Sequence, residues 1–305
     1  MKMGYCGKWL SRKAYCKCIR LEMDKCDNSN MELNSESQNK ISFLVPTLGN
    51  RGKEIKRLFD SLIKQSYNNI EVVLVIQDNY ASIEALCLEY RPNLDITIIK
   101  SDEKGLSKAR NRGVAFCKGD IIALSDDDCW YPSDAAKTII NEFNENNVSV
   151  LLTQIYDFDN KQNYKAYKQE NKMIRSAFSL FSRSSIEIAF LKEAIGTVRF
   201  DELFGLGAHF VCCEEVDFLI KLFRNNKKIL YSPIITVYHA KKNKGSTRKQ
   251  VVAKGAIYAK EYNVLVGLLI CVKDLLLRKE NNFIPFFEGF NEYKVYKRTH
   301  KTNDC

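Results

Sequence analysis

Three consecutive carboxylates, Asp126-Asp127-Asp128, follow an apolar run and precede Cys129-Trp130-Tyr131-Pro132. Carboxylates this close repel one another, and a cation relieves the repulsion. Oxygen donors at this density suit Mg²⁺ or Mn²⁺, ions that also hold a diphosphate. A solvated acidic turn or a helix N-cap would use the same triplet. A second acidic group, Glu214-Glu215-x-Asp217, opens a predicted helix. The helix dipole alone favours acids there. A carboxylate whose pKa is raised by its neighbours can also take a proton from a hydroxyl. His239 closes a predicted strand, either as a polar terminus or, beside a metal, as a ligand through a neutral ring nitrogen. Gly105-Leu106-Ser107-Lys108-Ala109-Arg110-Asn111 leads into a helix. Backbone N–H groups at such a start can cradle phosphate, and Arg110 can pair with phosphate oxygens. The alternative is an ordinary amphipathic helix with an exposed arginine. No P-loop pattern is present.

These residues need elements to position them. Short apolar runs at 41–46, 71–76, 95–100 and 121–125 read as strands. Between them 53–65, 83–90 and 106–117 carry helical spacing, as with Ile55, Leu58, Phe59 and Leu62. Alternating strands and helices predict an α/β fold with a mostly parallel, Rossmann-like sheet. Ligands of such sheets bind at the carboxyl ends of the strands. Thr47, Asp78, Asp102 and Asp126 to Asp128 fall at those four ends, which predicts one shared crevice. The second half is less regular. It reads as a helix at 133–144, a strand at 150–158, a polar loop at 160–171, short extended pieces at 178–182 and 186–188, a loop at 204–207, a helix at 214–225, and strands at 228–231 and 234–239.

Composition bounds the class. The 305 residues are 45% hydrophobic and 28% charged, enough for a sizeable core. The net charge of +10 is uneven: residues 1–40 hold 8 Lys/Arg against 5 Asp/Glu, and residues 240–305 hold 14 against 6. A basic end can face anionic lipid, nucleic acid or an acidic substrate, or be a solvated surface. The first forty residues read as a poorly ordered or loosely packed extension. None of the 11 cysteines forms a Cys-x-x-Cys pair, and most read as buried apolar residues in a reducing compartment. No secretory signal is read at 1–20. The apolar stretch 264–277 is too short to span a bilayer, and suits either a core helix or an amphipathic helix on a membrane.

The segments together resemble the family 2 inverting glycosyltransferases of the glycosyltransferase A fold, including bacterial capsule and surface-polysaccharide enzymes. The similar pieces run in order: Phe43 to Gly49 as first strand and Pro46-Thr47 turn, Glu71 to Asn79 as second strand, Gly105 to Gly113 as donor-side helix, Gly119 to Asp128 as the strand into the metal motif, Cys213 to Phe218 as the base motif, and Val237-Tyr238-His239. The resemblance covers about 41–240, and implies a catalytic domain there followed by a basic, partly amphipathic helical region at 241–305. It implies Mn²⁺ or Mg²⁺ on Asp126, Asp128 and His239. It implies donor binding by Pro46, Thr47, Asp78, Asp102, Gly105, Arg110, Asp126 and Asp127. Glu215 stands where the family has an aspartate base, with Glu214 and Asp217 as alternatives. Only Asp78 is acidic after the second strand, where the family often has two acids. The implied donor is a nucleotide-diphosphate sugar, of UDP type, and the acceptor a glycan or lipid-linked hydroxyl. The implied location is cytoplasmic, peripheral on the inner face of the plasma membrane, with 241–301 against anionic lipid. Two other classes compete. A nucleotidyltransferase would bring a Gly-rich basic loop after the first strand, which Leu48-Gly49-Asn50-Arg51-Gly52-Lys53 matches in part. A nucleic-acid-binding protein would need an aromatic–basic recognition motif, and none appears.

Overall fold

The computed structural model describes residues 39–241, 245–262, 265–267, 269, 272 and 283–300. They belong to one compact unit, Asn39–Cys305. The opening extension and most of the apolar stretch at 264–277 lie outside the described residues.

The first half folds as the alternation requires. Strands β1 (Ile41–Thr47), β2 (Ile70–Ile76), β3 (Ile96–Lys100) and β4 (Ile121–Leu124) alternate with helices α1 (Gly52–Ile63), α2 (Tyr80–Tyr90) and α3 (Leu106–Val114). All four strands are parallel, in spatial order β3-β2-β1-β4. β1 and β2 are buried along their whole length, which is why they read as unbroken apolar runs.

After α4 (Ala135–Asn146) the sheet becomes mixed. It continues through β8 (Ile188–Leu191), β5 (Val150–Asp157), β9 (Ile229–Tyr238) and β7 (Lys172–Met173), with β6 (Gln162–Asn163) paired to β5. β8 is antiparallel to both β4 and β5, while β5 and β9 are parallel. The short helix α5 (Lys192–Ile195) follows β8, and α6 (Glu214–Arg224) precedes β9. The later described residues include two basic helices, α7 (Arg248–Glu261) and α8 (Phe283–His300).

Strand period splits the core into two faces. Ile41, Phe43 and Val45 join α1, α2 and α4 on one side, while Leu44, Val73 and Val75 join α3, α6 and α7 on the other. The C-terminal helices are thus part of the sheet's own packing: Ala253, Ala256, Ile257 and Tyr293 belong to the second face. α7 and α8 meet at Gly255 and Gly289, where a Cβ would lie 1.9 Å from the facing helix's carbonyl oxygens. Among the described residues no helix is long and apolar enough to cross a membrane.

Three local expectations change. The extended piece read at 186–188 is a 3₁₀ turn at Ser185–Glu187, and the strand begins only at Ile188. Residues 178–182 are not extended. Ala177–Leu180 forms a 3₁₀ turn, capped by the Ser176 side chain accepting from the Phe178 N–H, so a local hydrogen bond overrides β-propensity. The two late strands are one, β9. Pro233 sits inside it, where the register on β5 jumps from Leu152/Tyr231 to Gln154/Ile235. A bulge is where a strand tolerates proline.

Candidate active site

The carboxyl ends of β1, β2, β4 and β9 surround a cleft of about 350 Å³. Its wall includes Pro46, Thr47, Arg51, Gln77, Lys104, Gly105, Asp126, Asp127, Asp128, Leu206, Gly207 and His239.

The floor is the turn after β1. Gly49 holds φ +72°, and a Cβ there would meet the Asp78 carbonyl oxygen at 2.4 Å. Its N–H donates to Thr47 Oγ1 at 2.9 Å, and Thr47 Oγ1 donates to Asp127 Oδ2 at 2.7 Å. Arg51, at the entry of α1, bridges the acidic run: Nη1 lies 2.8 Å from Asp127 Oδ1 and 2.6 Å from Asp128 Oδ2. Burial raises the Asp127 carboxyl, against the pull of Thr47 and Arg51. Burial also raises Asp126, against Arg110.

His239 reaches this run through a backbone stitch. Trp130 and Tyr238 exchange both main-chain hydrogen bonds, at 3.1 and 2.7 Å, so the residue after Tyr238 lands beside Asp128. Its Nδ1 lies 2.8 Å from the Ala240 carbonyl oxygen. Its Nε2 lies 3.1 Å from Asp128 Oδ1. A ring nitrogen and a carboxylate oxygen at that separation are a pair of donors that one cation could share. Mg²⁺ or Mn²⁺, which take few protein ligands and leave positions for phosphate and water, fit it. Among the described residues no three acidic, histidine or cysteine side chains are gathered as a ready-made metal cage. Asp126 turns instead to Arg110.

Arg110 does not line the cleft. It is fully buried, with Nη2 3.1 Å from Asp126 Oδ1 and Nη1 2.8 Å from Glu214 Oε1. The exposed arginine that the amphipathic pattern allows is therefore absent; this guanidinium joins the two acidic groups from behind. Gly105, the residue before α3, donates its N–H to Gln77 Oε1 at 2.6 Å, and Leu106 donates to the Leu206 carbonyl at 2.9 Å. These bonds tie the start of α3 to the end of β2 and to the 204–207 loop.

The second acidic group divides three ways. Glu214 is taken by Arg110. Asp217, fully buried, sits between Lys221 (2.6 Å) and Lys260 of α7, on the side of the C-terminal helices. Glu215 is half-buried. Burial first, and then the Glu214 charge, hold its carboxyl well above the usual glutamate range. Glu214, Glu215 and Asp217 lie outside the cleft wall, which Glu214 joins only through Arg110 and Asp126.

Asp78 and Asp102 also lie outside that wall. Asp78 is tied to the rim by Lys104 Nζ at 2.5 Å, and that bond leads the lowering of its pKa. Asp102 is exposed and accepts from the Tyr80 hydroxyl at 3.3 Å. Wall residues without an assigned role in the sequence include Arg51, Gln77, Lys104, Leu206 and Gly207. The basic loop around Arg51 was visible there, but only as a fragment of a different nucleotide motif. The glycines at 205 and 207 were the one signal for the Leu206 loop.

The Glycosyl transferase family 2 model matches residues 42–201. Over 248 residues the chain is 25% identical to an uncharacterized glycosyltransferase of Haemophilus influenzae, covering 73% of this chain and 77% of that one. It is 24% identical over 190 residues to the minor teichoic acid biosynthesis protein GgaB of Bacillus subtilis, covering 56% of this chain and 20% of GgaB. Among solved structures, S. aureus TarS 1–349 in complex with UDP-GlcNAc superposes with a TM-score of 0.57 at 21% identity, covering 77% of this chain and 66% of that one. A Pyrobaculum calidifontis mannosyltransferase in complex with GDP-Man and Mn²⁺ gives 0.55 at 17% identity, covering 73% and 62%.

Proposed function

This chain belongs to glycosyl transferase family 2, and from that premise we propose that it moves a sugar from a nucleotide-diphosphate donor, of UDP type, to a hydroxyl of a glycan or lipid-linked acceptor, with inversion and with the help of a divalent metal. The observation that carries the metal-dependent reading is His239 Nε2 3.1 Å from Asp128 Oδ1 in a cleft at the strand ends. Asp128 and His239, with Asp126 beside them, would hold Mn²⁺ or Mg²⁺. When bound, the ion supplies positive charge to the diphosphate as it departs. TarS, whose structure is titled with UDP-GlcNAc, and the mannosyltransferase titled with GDP-Man and Mn²⁺ support a nucleotide-sugar donor and a metal.

The chain's own residues divide the remaining work. Pro46, Thr47 and Asp78 hold the nucleoside, and Asp127 braces Thr47. Gly105 and Asp102 lie along the donor side, with Lys104 on the rim. Arg110 acts from behind, pairing with both Asp126 and Glu214 and fixing their places. Glu215 takes the proton of the acceptor hydroxyl. The oxygen then attacks the anomeric carbon from the face opposite the diphosphate, which leaves as that bond breaks. A raised carboxyl suits a general base, whose pKa is best near the working pH.

The catalytic region at 41–240 is followed by a basic region at 241–305, and the first forty residues are an extension. The reading places the enzyme on the cytoplasmic side, peripheral to anionic lipid, in surface-polysaccharide synthesis. Exposed Phe283, Ile284 and Val295 on α8 support the lipid contact. The name of GgaB supports the polysaccharide role. The test is transfer or donor hydrolysis across a panel of nucleotide sugars, with Mn²⁺ and with chelator. Metal-dependent turnover of at least one UDP-sugar is expected. No turnover of any donor, together with no nucleotide binding by calorimetry, would remove the reading.

A further inference from the structure

The residues just before the proposed base are two cysteines. Cys212 and Cys213 place their sulfurs 3.5 Å apart. Cys213 holds φ +79°, in the left-handed region, where it is the N-cap of α6 without any side-chain cap bond. Only local geometry that suits something else keeps a non-glycine residue there. Cys212 is half-buried, and its sulfur also lies 3.8 Å from the Gln250 carbonyl of α7.

These thiols differ from the other described cysteines. Burial pushes the Cys87 thiol up to about 11, and those of Cys117 and Cys129 to about 12, which keeps them inert. Cys212 moves the other way: its contact with the Cys213 sulfur, helped by Lys254, outweighs burial and the Glu214 charge, so its thiol lies below the usual range. Cys213 is raised by the same contact and by burial. A half-buried thiol with a lowered pKa and a second thiol in contact with its sulfur is the arrangement of a nucleophilic and a resolving cysteine.

We propose that Cys212 and Cys213 form a peroxide-sensitive dithiol whose oxidation to a vicinal disulfide disables the helix start that carries Glu215. The oxidant is a hydroperoxide. The Cys212 sulfur attacks its outer oxygen; the S–O bond forms, the O–O bond breaks, and the departing oxygen takes a proton to become an alcohol, or water from hydrogen peroxide. The Cys213 sulfur then attacks the Cys212 sulfur. The S–S bond forms, the S–O bond breaks, and the leaving hydroxide takes the Cys213 proton as water. Two thiols lose two hydrogens, and the peroxide is reduced. Adjacent Cα atoms, about 3.8 Å apart across a trans peptide, are closer than ordinary disulfides allow, so the ring is strained and readily reduced. Closing it resets the backbone of Cys213, and with it the two residues that follow: Glu214, bound to Arg110, and Glu215.

The claim about activity rests on the base reading above; the claim about the dithiol does not. The full chain is exposed to stoichiometric hydrogen peroxide, its remaining thiols are alkylated, and it is cut with trypsin. The peptide between Arg199 and Lys221 holds both cysteines and no other. It is expected two hydrogens lighter than the reduced peptide and without alkylation. UDP-sugar transfer is expected to fall at least about fivefold and to return with dithiothreitol. Cys212→Ser keeps basal transfer and loses the peroxide response; in Cys213→Gly, the second variant, which suits the left-handed backbone, peroxide is expected to give no peptide two hydrogens lighter. Two alkylated thiols after peroxide would overturn the dithiol. A transfer rate unmoved by the internal disulfide, or a Cys212→Ser enzyme as sensitive as the parent, would overturn the coupling. If no donor is turned over at all, the glycosyl-transfer reading fails while the peptide mass still decides the dithiol.

Discussion

The two acidic groups of this protein look alike as strings and differ as structures. Asp126 to Asp128 stand at the mouth of the cleft: Asp126 on Arg110, Asp127 on Thr47 and Arg51, and Asp128 on His239 and the same Arg51. Glu214 to Asp217 stand on a helix start, and two of the three face inward, Glu214 on Arg110 and Asp217 between Lys221 and Lys260. Asp127 and Asp128 meet Arg51, 43% exposed, a charge that a ligand can replace, while Asp126 shares the buried Arg110 with Glu214. Asp217 meets two lysines, which leaves Glu215 as the acid of its group without an ion pair among the described residues and with a raised carboxyl. Proximity of carboxylates therefore says little about role until the partner of each is known.

The largest break in this comparison is Arg110→Met, because one buried guanidinium serves both groups. Removing one partner of a buried ion pair costs about 3–5 kcal/mol, so a matching drop in chemical-denaturation stability is expected, with loss of transfer. A loss below ~1 kcal/mol would show that Asp126 and Glu214 do not depend on it.

Glu215→Gln and Asp217→Asn separate the helix group from within. Glu215→Gln is expected to lower transfer by about 10²–10⁴, the usual worth of a general base, with UDP binding by calorimetry unchanged. Asp217→Asn is expected to lower melting temperature and leave most of the rate. The reverse pattern would move the base to Asp217.

A pH profile sharpens the same point. With the Glu215 carboxyl held high by burial and by Glu214, the base is protonated and idle at low pH. The rate kcat/KM should therefore rise with pH through an inflection well above the ~4.3 of a free glutamate. An acid limb at that ordinary value would mean a different group is titrating.

His239→Ala tests the mouth group, with Mn²⁺ affinity expected to fall about 10–100-fold in a titration that needs no turnover. The smallest effect belongs to Arg51→Gln. Its side chain is 43% exposed, and a solvent-screened pair of this kind contributes at most about 1 kcal/mol. Its loss should change stability little while altering nucleotide binding at the cleft.

Much of the fold was readable because strand and helix periods are local. The runs at 41–46 and 71–76 had no other way to bury their side chains, and polar residues stopped each strand where the cleft begins. The less regular half was harder. Pro233 divided one strand into two on paper, because a bulge needs a partner strand to exist. The Ala177–Leu180 turn depends on one serine cap.

For the site, residue type and order by themselves determined the acidic triplet after a buried strand, the acidic helix start, the late histidine and the family resemblance that joined them. Only the tertiary structure decided partnership. Nothing in the string told that Arg110 would be buried between Asp126 and Glu214, that Asp217 would turn to Lys260, or that a two-bond stitch from Trp130 to Tyr238 would aim His239 at Asp128. The physical reason is range. Periodicity and capping act over a few residues, whereas an ion pair is chosen by which side chains a fold brings within 4 Å, across separations of 43, 104 and 111 residues here.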